Sequence, residues 1–395
     1  MKPLLYISYD GMLEPLGQSQ VLAYLEKLAT DRKIHLLSFE KVEDWQDPAL
    51  RQAVAARIRG AGIHWHPRRY HKRHSALATA WDIGVGIASG LWLVLRHRIG
   101  IVHARSYVPA VMALALKRIG GTKFVFDMRG FWADERVDGG LWPREGRMYR
   151  VAKWFERRFL LGADHMVSLT HAAVAEMTRF EYLQGKMPPV TVIPTCADLE
   201  RFAPMDVPRP GFMLGYVGSA GTWYLFDAVV GTFRLLRQQL PQARLLVINR
   251  NEHEYIRERL QAGGVALEEV ELRSVNHAEV PAQMARMHAA VFFIKPVFSK
   301  QASAPTKLGE FLGCGIPCLS NAGVGDMASI LEGENVGVAV NTFDSHALQT
   351  GLDSLLALAA EPDIRQRCVE AAHRQFSLEQ GVARYRAVYR SLEAA

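Results

Sequence analysis

Two charged side chains, Lys307 and Glu310, follow a small-residue loop that ends in Pro305. The preceding run Ala289–Ile294 is apolar and typical of a buried strand, whereas Pro305 suits the first position of a helix. Such a helix would direct free N–H groups and a partial positive charge toward the end of the strand, which suits a phosphate. Lys307 would add a mobile cation. Glu310 would lie about 7–8 Å along the axis from Pro305 at ~1.5 Å per residue, where its carboxylate can accept hydrogen bonds from two hydroxyl groups.

This spacing matches the distance from a diphosphate to the ribose hydroxyls of one nucleotide. Gly313 and Gly315 predict the end of the helix, and Ile316–Leu319 is predicted to be the next strand. An ordinary strand–loop–helix unit with an exposed Glu310 would show the same pattern. Both interpretations stay open at this stretch.

The elements that must position this helix alternate along the whole chain. Apolar runs separated by helical stretches of ten or more residues indicate parallel sheets covered on both faces. Among them we predict a helix that ends near Thr30 and a third strand at Gly62–His66. Ligands of such sheets lie beyond the carboxyl ends of the strands, so the loops after Tyr9, His103 and Asp127 are expected to be functional.

A proline-rich segment, Thr195–Pro210, separates two halves of similar size. We therefore predict an α/β protein with two Rossmann-like domains facing each other across a cleft. Residues 1–203 would form the amino-terminal domain, and residues 211–376 the carboxyl-terminal domain. Residues 377–395 would form a terminal helix. Its partner is open from sequence alone, and crossing back to the amino-terminal domain is one option.

Composition supports a globular protein with a preference for anions. The chain has 395 residues, 49% hydrophobic and 22% charged, with a formal net charge of +7. That length suits two domains, and that charge suits a polyanionic substrate, a nucleotide or an anionic membrane. The four cysteines lack the spacing of metal ligands and are expected to be reduced core residues. Residues 1–7 enter a strand directly, without the long apolar region of a signal peptide.

The segment Ser75–Leu95 is strongly apolar, and Asp82 is its only charged residue. Its length would permit a membrane span, but Asp82 and three glycines oppose that interpretation. The basic clusters Arg68–His74 and Arg96–Arg98 flank the segment. A helix that covers the sheet, with a basic edge toward an anionic leaflet, is therefore one expectation, and a plainly buried helix is the other.

Six phrases, in this order, resemble those of the GT-B nucleotide-sugar glycosyltransferases, specifically family four of the retaining enzymes and its bacterial polysaccharide-cluster members. They span nearly the whole chain and are Tyr9–Gln20, His103–Tyr107, Phe126–Glu135, Val192–Phe202, Gly215–Ser219 and Pro305–Glu310.

The resemblance implies roles for two groups of residues. The amino-terminal domain would be the acceptor-side domain. There a carboxylate could orient the acceptor hydroxyl and an arginine could hold an anion. The candidate catalytic residues are His103, Asp127, Arg129, Asp134 and Glu135. A structural salt-bridge loop is the alternative there. The candidate donor-binding residues are Gly17, Gln18, Gly218, Ser219, Arg250, Lys295, Lys300, Ser303, Thr306, Lys307, Leu308 and Glu310.

Two departures from the family's pattern concern donor recognition. Most members carry a Glu-x7-Glu pair whose first glutamate meets the sugar and whose second meets the ribose. Here the second is Glu310 but the first position is Ala302, so Lys300, Gln301 or Ser303 would have to replace it. The loop 218–224 lacks the usual Arg and Lys, and its Trp223 and Tyr224 could stack on a base or simply pack.

The resemblance implies retaining transfer of a sugar from a nucleoside diphosphate sugar to a lipid-linked or surface-polysaccharide precursor. No protein nucleophile, divalent metal or other cofactor is expected. The expected partners are the nucleotide sugar, a glycan or lipid-linked acceptor and an anionic membrane surface, with no nucleic acid. The expected location is cytoplasmic, peripheral to the inner face of the plasma membrane. A nucleotide-sugar epimerase or a polysaccharide synthase on the same architecture stays open as an alternative enzyme. Because of Ala302, a non-catalytic nucleotide-binding regulatory module stays open as well.

Overall fold

The computed structural model describes residues 1–71, 75–276 and 278–394 and divides the chain into two compact units. The first unit comprises Met1–Ile193 and the terminal segment from Leu378 onward, and the second comprises Pro194–Ser377. Each unit contains one parallel sheet with helices between successive strands. The prediction of two Rossmann-like α/β domains is therefore confirmed.

The first unit is built on seven parallel strands in the order β3-β2-β1-β4-β5-β6-β7. The strands are β1 Leu4–Ser8, β2 Ile34–Glu40, β3 His64–Arg69, β4 Ile101–Arg105, β5 Lys123–Met128, β6 His165–Ser168 and β7 Val190–Val192. The helices are α1 Pro15–Gly17, α2 Ala23–Leu28, α3 Val42–Trp45, α4 Pro48–Gly60, α5 Ser75–His97, α6 Tyr107–Gly120, α7 Trp132–Asp138, α8 Arg147–Gly162, α9 His171–Thr178 and α17 Leu378–Ala394.

The second unit is built on six parallel strands in the order β10-β9-β8-β11-β12-β13. The strands are β8 Met213–Val217, β9 Arg244–Ile248, β10 Val270–Arg273, β11 Ala289–Val291, β12 Cys318–Asn321 and β13 Gly337–Val340. The helices are α10 Phe226–Gln239, α11 His253–Ala262, α12 Val280–Met284, α13 Thr306–Gly313, α14 Met327–Gly333, α15 Ser345–Ala359 and α16 Ile364–Phe376.

Several predicted boundaries differ from the observed ones. The third strand continues through Pro67 to Arg69 rather than ending at His66. Because β3 is the edge strand of its sheet, the missing N–H of Pro67 costs no ladder hydrogen bond. The predicted helix up to Thr30 is divided into α1, a π-helical turn at Gln18–Leu22 and α2. The fifth strand of the second unit is Cys318–Asn321 rather than Ile316–Leu319.

The apolar segment from residue 75 forms one helix, α5, which is long and apolar enough to cross a membrane. One third of its most apolar window is nevertheless buried within the protein. Asp82 is fully buried and accepts hydrogen bonds from the Tyr9 hydroxyl group (2.8 Å) and the His71 backbone N–H (3.1 Å). Arg68 donates to Ser89 on α5 (3.0 Å). The rest of the predicted basic cluster, residues 72–74, lies outside the described residues.

The terminal helix α17 packs on the first unit, beside α2. Two ion pairs link it to the loop between α2 and β2: Arg386 with Asp31 (2.8 Å) and Arg32 with Glu393 (2.7 Å). The described part of the first unit is therefore completed by a segment that follows the whole second unit in sequence.

Four histidine rings gather where β2, β3 and the end of α5 meet. His35 stacks on His64 with ring centroids 4.8 Å apart and lies 4.2 Å from His97. Its Nδ1 is 3.1 Å from Nε2 of His66. Burial, together with the smaller effects of the neighbouring imidazoles and Lys33, lowers the pKa of His35 to about 3. His35 is therefore neutral at physiological pH.

Acid should destabilise the first unit through His35. Because the unfolded chain takes up this proton near pH 6.5 and the folded one only near pH 3, stability is complete above pH 6.5 and falls below it. At pH 5 the loss from His35 alone is about 2 kcal/mol. Urea unfolding of wild type and His35→Gln at pH 7.5 and 5.0 measures it. The variant should lose less stability on acidification, whereas the exposed-site control His346→Gln should behave as wild type. An equal pH dependence in His35→Gln would contradict the assignment.

Candidate functional site

The polar edge of the second sheet is built around the loop after β8. Gly218 has φ +104°, a conformation that favours glycine, and Thr222 has φ +54°. Glu252, just before α11, accepts hydrogen bonds from the backbone N–H groups of Ala220 (2.9 Å) and Gly221 (3.0 Å). The Asn249 side-chain amide donates to the same carboxylate (2.9 Å). A carboxylate therefore holds the backbone of this loop in place.

Lys307, in the first turn of α13, reaches this loop. Its Nζ donates to the carbonyl of Val217 (2.8 Å) and lies 3.9 Å from the centroid of the Tyr224 ring. A Cβ atom at Gly218 would lie 2.9 Å from that Nζ. Burial lowers the pKa of Lys307 to about 7, although Glu310 and Glu252 act to raise it. The lysine is thus held in place, contrary to the expectation of a mobile cation. It also brings a cation to the loop 218–224, which contains no lysine or arginine of its own.

Glu310 lies three residues further along α13. Burial raises the pKa of Glu310 to about 7, against the lowering effects of Lys307 and Arg201. Neither charge of α13 is fully compensated by the protein. An anion beside Lys307 and hydroxyl donors beside Glu310 would stabilise the charged forms of both groups.

The helix begins one residue later than predicted. Pro305 is the N-cap residue, with extended backbone angles, and Thr306 is the first helical residue. Thr306 and Ser303 are partly exposed. Leu308 is different: its side chain is buried in the core, and its N–H donates to the carbonyl of Pro305 (3.1 Å). The geometry favours a packing role for Leu308.

The turn before α13 holds the residue that departs from the family's pattern. Ala302 is 1% exposed, at the end of a 3-10 turn at Phe298–Ala302. Lys300 is also buried, and its Nζ lies 3.8 Å from the centroid of the Trp223 ring. Trp223 therefore packs on a cation of the same domain, and the turn brings Lys300 to the loop that Lys307 also reaches.

Three other predicted donor-binding residues are exposed at this edge. Arg250 follows β9, Lys295 follows β11, and Ser219 lies in the loop after β8. The Tyr216 hydroxyl group donates to the carbonyl of Ser219. These side chains lie at the ends of neighbouring strands, and their predicted roles stay predictions.

In the first unit, Gly17 is the last residue of α1 and Gln18 begins the π-helical turn, in the tightly packed segment after β1. A Cβ atom at Gly17 would clash with the carbonyl group of Gly11, so the loop itself requires this glycine. The Gln18 side chain donates to the carbonyl of Leu13 (3.3 Å). Internal packing accounts for both residues without a ligand.

His103 and Asp127 lie in a buried polar network under α17. His103 contacts the Tyr389 hydroxyl group through Nδ1 (2.7 Å) and Asp127 through Nε2 (3.4 Å), and Tyr385 donates to Asp127 (2.9 Å). Burial alone would raise the pKa of Asp127, but Arg129, 3.8 Å away, and His103 lower it to about 2. The carboxylate is thus ionised and held in place by partners on β4, in the loop after β5 and on α17.

The other acidic candidates follow β5. Asp134 is buried, where it accepts hydrogen bonds from the Tyr149 hydroxyl group (2.8 Å) and from Lys153 (2.9 Å). This arrangement links α7 to α8 and favours a structural role for Asp134. Glu135 is partly exposed and, unlike Asp134, is accessible from solvent.

Sequence analysis did not identify several residues that shape these edges. Glu252 and Asn249 hold the loop after β8, and Tyr385 and Tyr389 close the network around Asp127. Ser106 has φ +71° and ψ −173° directly after β4, a region that is nearly glycine-only. A serine in that conformation is strained, and such strain often accompanies a functional site. The available sequence signals were the position of Ser106 after a strand and its place in the phrase His103–Tyr107.

The comparisons with known proteins agree with this architecture. Residues 27–196 match the sequence model of a family described as "Glycosyl transferase 4-like domain". Sucrose-phosphate synthase from Thermosynechococcus elongatus superposes with a TM-score of 0.74 at 15% identity, covering 100% of both chains. A glycosyltransferase from Rickettsia africae gives 0.71 at 12% identity, covering 99% of this chain and 98% of that one.

A third structure, Anabaena Alr3699/HepE in complex with UDP and glucose, gives a TM-score of 0.66 at 13% identity and covers 99% of this chain and 100% of its own. The fold is GT-B. At these identities the likeness shows the fold alone. No curated protein matches the chain. Within the described residues, no cluster of three or more His, Cys, Asp or Glu side chains of this GT-B protein could hold a metal ion.

Removing the Glu252 carboxylate should destabilise the second GT-B domain. Glu252→Ala leaves the N–H groups of Ala220 and Gly221 without their acceptor, and hydrogen bonds to a charged group contribute about 1.5–3 kcal/mol. Urea unfolding should show a loss of stability of this size. The loss should lie at the upper end of the range if the loop cannot rearrange. Glu254→Ala, an exposed glutamate of α11, is the matched control. Equal stability of the two variants would show that Glu252 does not hold the loop.

Proposed function

We propose that this protein is a retaining glycosyltransferase that moves a sugar from a nucleoside diphosphate sugar to a hydroxyl group of a lipid-linked or surface-polysaccharide precursor. The observation that carries the proposal is the pair Lys307 and Glu310 on one turn of α13, both with a pKa shifted to about 7 by burial. The GT-B fold, the match of residues 27–196 to a glycosyl transferase 4-like domain and the UDP and glucose bound by Alr3699/HepE support it.

The chemistry of leaving-group departure fits α13. As the bond from sugar to diphosphate breaks, negative charge grows on the diphosphate, and a fixed cation with backbone N–H groups nearby stabilises it. Lys307 and the first turn of α13 would supply both. Glu310 would accept hydrogen bonds from the ribose hydroxyls, which places the nucleotide. Lys300 and Ser303 are the proposed substitutes for the glutamate that Ala302 replaces.

In the acceptor-side domain, we assign the anion contact to Arg129. Its side chain is 15% exposed, whereas that of Asp127 is 1% exposed. Asp127 and His103 would act by positioning Arg129, and Glu135 would orient the acceptor hydroxyl. In a same-face, retaining transfer the leaving phosphate receives the acceptor's proton, so none of these residues has to become a nucleophile.

An activity assay distinguishes this function from the alternatives. The protein is incubated with a panel of radiolabelled nucleoside diphosphate sugars, and products are separated by chromatography. Slow hydrolysis of one donor, or transfer with retained anomeric configuration by NMR, supports the proposal. Epimer formation would establish an epimerase instead. Tight binding without any turnover would establish a non-catalytic nucleotide-binding module, which is the second candidate because Ala302 stands where the family places a sugar-binding glutamate.

Glu310→Ala should weaken binding of the preferred donor by about 10- to 150-fold, which corresponds to the 1.5–3 kcal/mol of hydrogen bonds to a charged group. Isothermal titration calorimetry measures the dissociation constant. Glu332→Ala, an exposed glutamate of α14, should bind as wild type. An unchanged dissociation constant in Glu310→Ala would remove this residue from the nucleotide site.

Lys307 and Glu310 should give donor binding two opposing pH dependences. In Glu310→Gln only the lysine of this pair titrates, with a pKa at 7 or slightly below. The affinity for the donor should therefore fall as pH rises through this range, because neutral lysine no longer attracts the diphosphate. In Lys307→Met only the glutamate titrates, so affinity should rise with pH, near 7 or above. Calorimetry with the preferred nucleotide sugar between pH 5.5 and 8.5 measures both slopes. Parallel slopes would contradict the assignment of the two groups.

A further inference from the structure

Three helices of the first unit, α5, α6 and α8, share one face of the seven-stranded sheet. They lie in crossovers that all run the same way along the strand order, and right-handed crossovers then place them on the same side. Packing agrees: Gly86 of α5 leaves space for Met112 of α6, and Lys117 of α6 donates to the carbonyl of Gly162 at the end of α8 (2.9 Å).

The outer side of α5 is apolar along its length. Exposed residues recur every three or four positions, which is one stripe of a helix. Four of them are large: Leu77 is 77% exposed, Trp81 64%, Trp92 58% and Leu95 69%. From the first to the last the stripe extends about 27 Å at ~1.5 Å per residue. Monomeric proteins rarely leave so extended an apolar surface uncovered.

The outer side of α8 mixes apolar and cationic residues. Val151 and Trp154 are about half exposed, and Arg147 and Arg150 are exposed beside them. Arg158 stacks on the Trp154 ring, with its Cζ 3.3 Å from the ring centroid. Aromatic and aliphatic side chains interleaved with arginines are typical of helices that lie in a membrane interface.

The exposed charged residues within α5, α6 and α8 all have one sign. The three helices contain only two acidic residues, Asp82 and Glu156, and both are fully buried. Glu156 pairs with Lys153 and accepts from the Tyr107 hydroxyl group (2.6 Å). The outer surface therefore presents arginines without a carboxylate among the described residues of these helices. A second copy of the same cationic face would be repelled, whereas an anionic lipid surface is complementary.

We infer that this face lies on a bilayer that contains anionic phospholipid, with the tryptophans of α5 and α8 at the headgroup level and Arg147 and Arg150 against the lipid phosphates. The inference rests on the lipid-linked acceptor of the proposed function and names the surface that would bring the protein to the membrane. It requires α5 to lie along the membrane rather than across it, as its packing on α6 and the buried Asp82 already dictate.

Vesicle flotation tests this surface without any glycosyl transfer. The wild-type protein should float with phosphatidylcholine–phosphatidylglycerol vesicles at low salt and much less with pure phosphatidylcholine. The double variants Trp81→Ser/Trp92→Ser and Arg147→Glu/Arg150→Glu should each bind at least tenfold more weakly. The matched controls are Trp45→Ser, on the opposite face, and Arg59→Glu/Arg234→Glu, which changes the net charge equally; both should float as wild type.

Three results would overturn the inference: no flotation of the wild type with anionic vesicles, equal weakening by control and test variants, or a lipid-free dimer in sedimentation velocity that Trp81→Ser/Trp92→Ser dissociates. Circular dichroism establishes that each variant is folded. Donor hydrolysis in vesicle-free solution is measured in parallel. A protein that floats but does not turn over any donor would refute the proposed function alone, and one that turns over donor but does not float would refute the membrane surface alone.

Discussion

The position of one ammonium group constrains the polar edge of the second domain. Lys307 Nζ donates to the carbonyl of Val217 and lies over the Tyr224 ring, and a Cβ atom at Gly218 would lie 2.9 Å from this Nζ and displace it. The left-handed backbone at Gly218 suits glycine for a second reason, since a Cβ atom would strain it. Helix α13 is thereby fixed against the end of β8, and Glu310 follows one turn later. Strand end, loop and helix form one arrangement rather than three separate features.

The two domains treat buried charge differently. In the first, the pKa of Asp127 is about 2 because Arg129 and His103 outweigh the effect of burial. In the second, burial outweighs the neighbouring charges, and the pKa values of Lys307 and Glu310 both move to about 7. Asp127 is therefore ionised within its own network, although its Oδ1 accepts no hydrogen bond there. For the two groups on α13, burial disfavours the charged forms more than the neighbouring charges favour them.

Sequence reasoning predicted what depends on local patterns. The alternation of apolar runs and helical stretches indicated two α/β domains. Pro305 as a start signal and Gly313 and Gly315 as stop signals located α13 to within one residue. It did not find contacts that depend on tertiary structure. Glu252 holds a loop thirty residues earlier, and Tyr385 meets Asp127 across 258 positions. Gly17 looked like a ligand-approach glycine, but the carbonyl group of Gly11 in the same loop is what requires it.

The placement of α17 also bears on biosynthesis. The first domain is interrupted by the entire second domain, and its last helix is translated only after the second is complete. Until then His103 and Asp127 lack their tyrosine partners, and Arg32 lacks Glu393. The first domain therefore leaves the ribosome without the helix that covers this polar network, and His103, Asp127 and Arg32 each lack one partner. The second domain is continuous in sequence, so the domain translated second is the one that can complete its fold first.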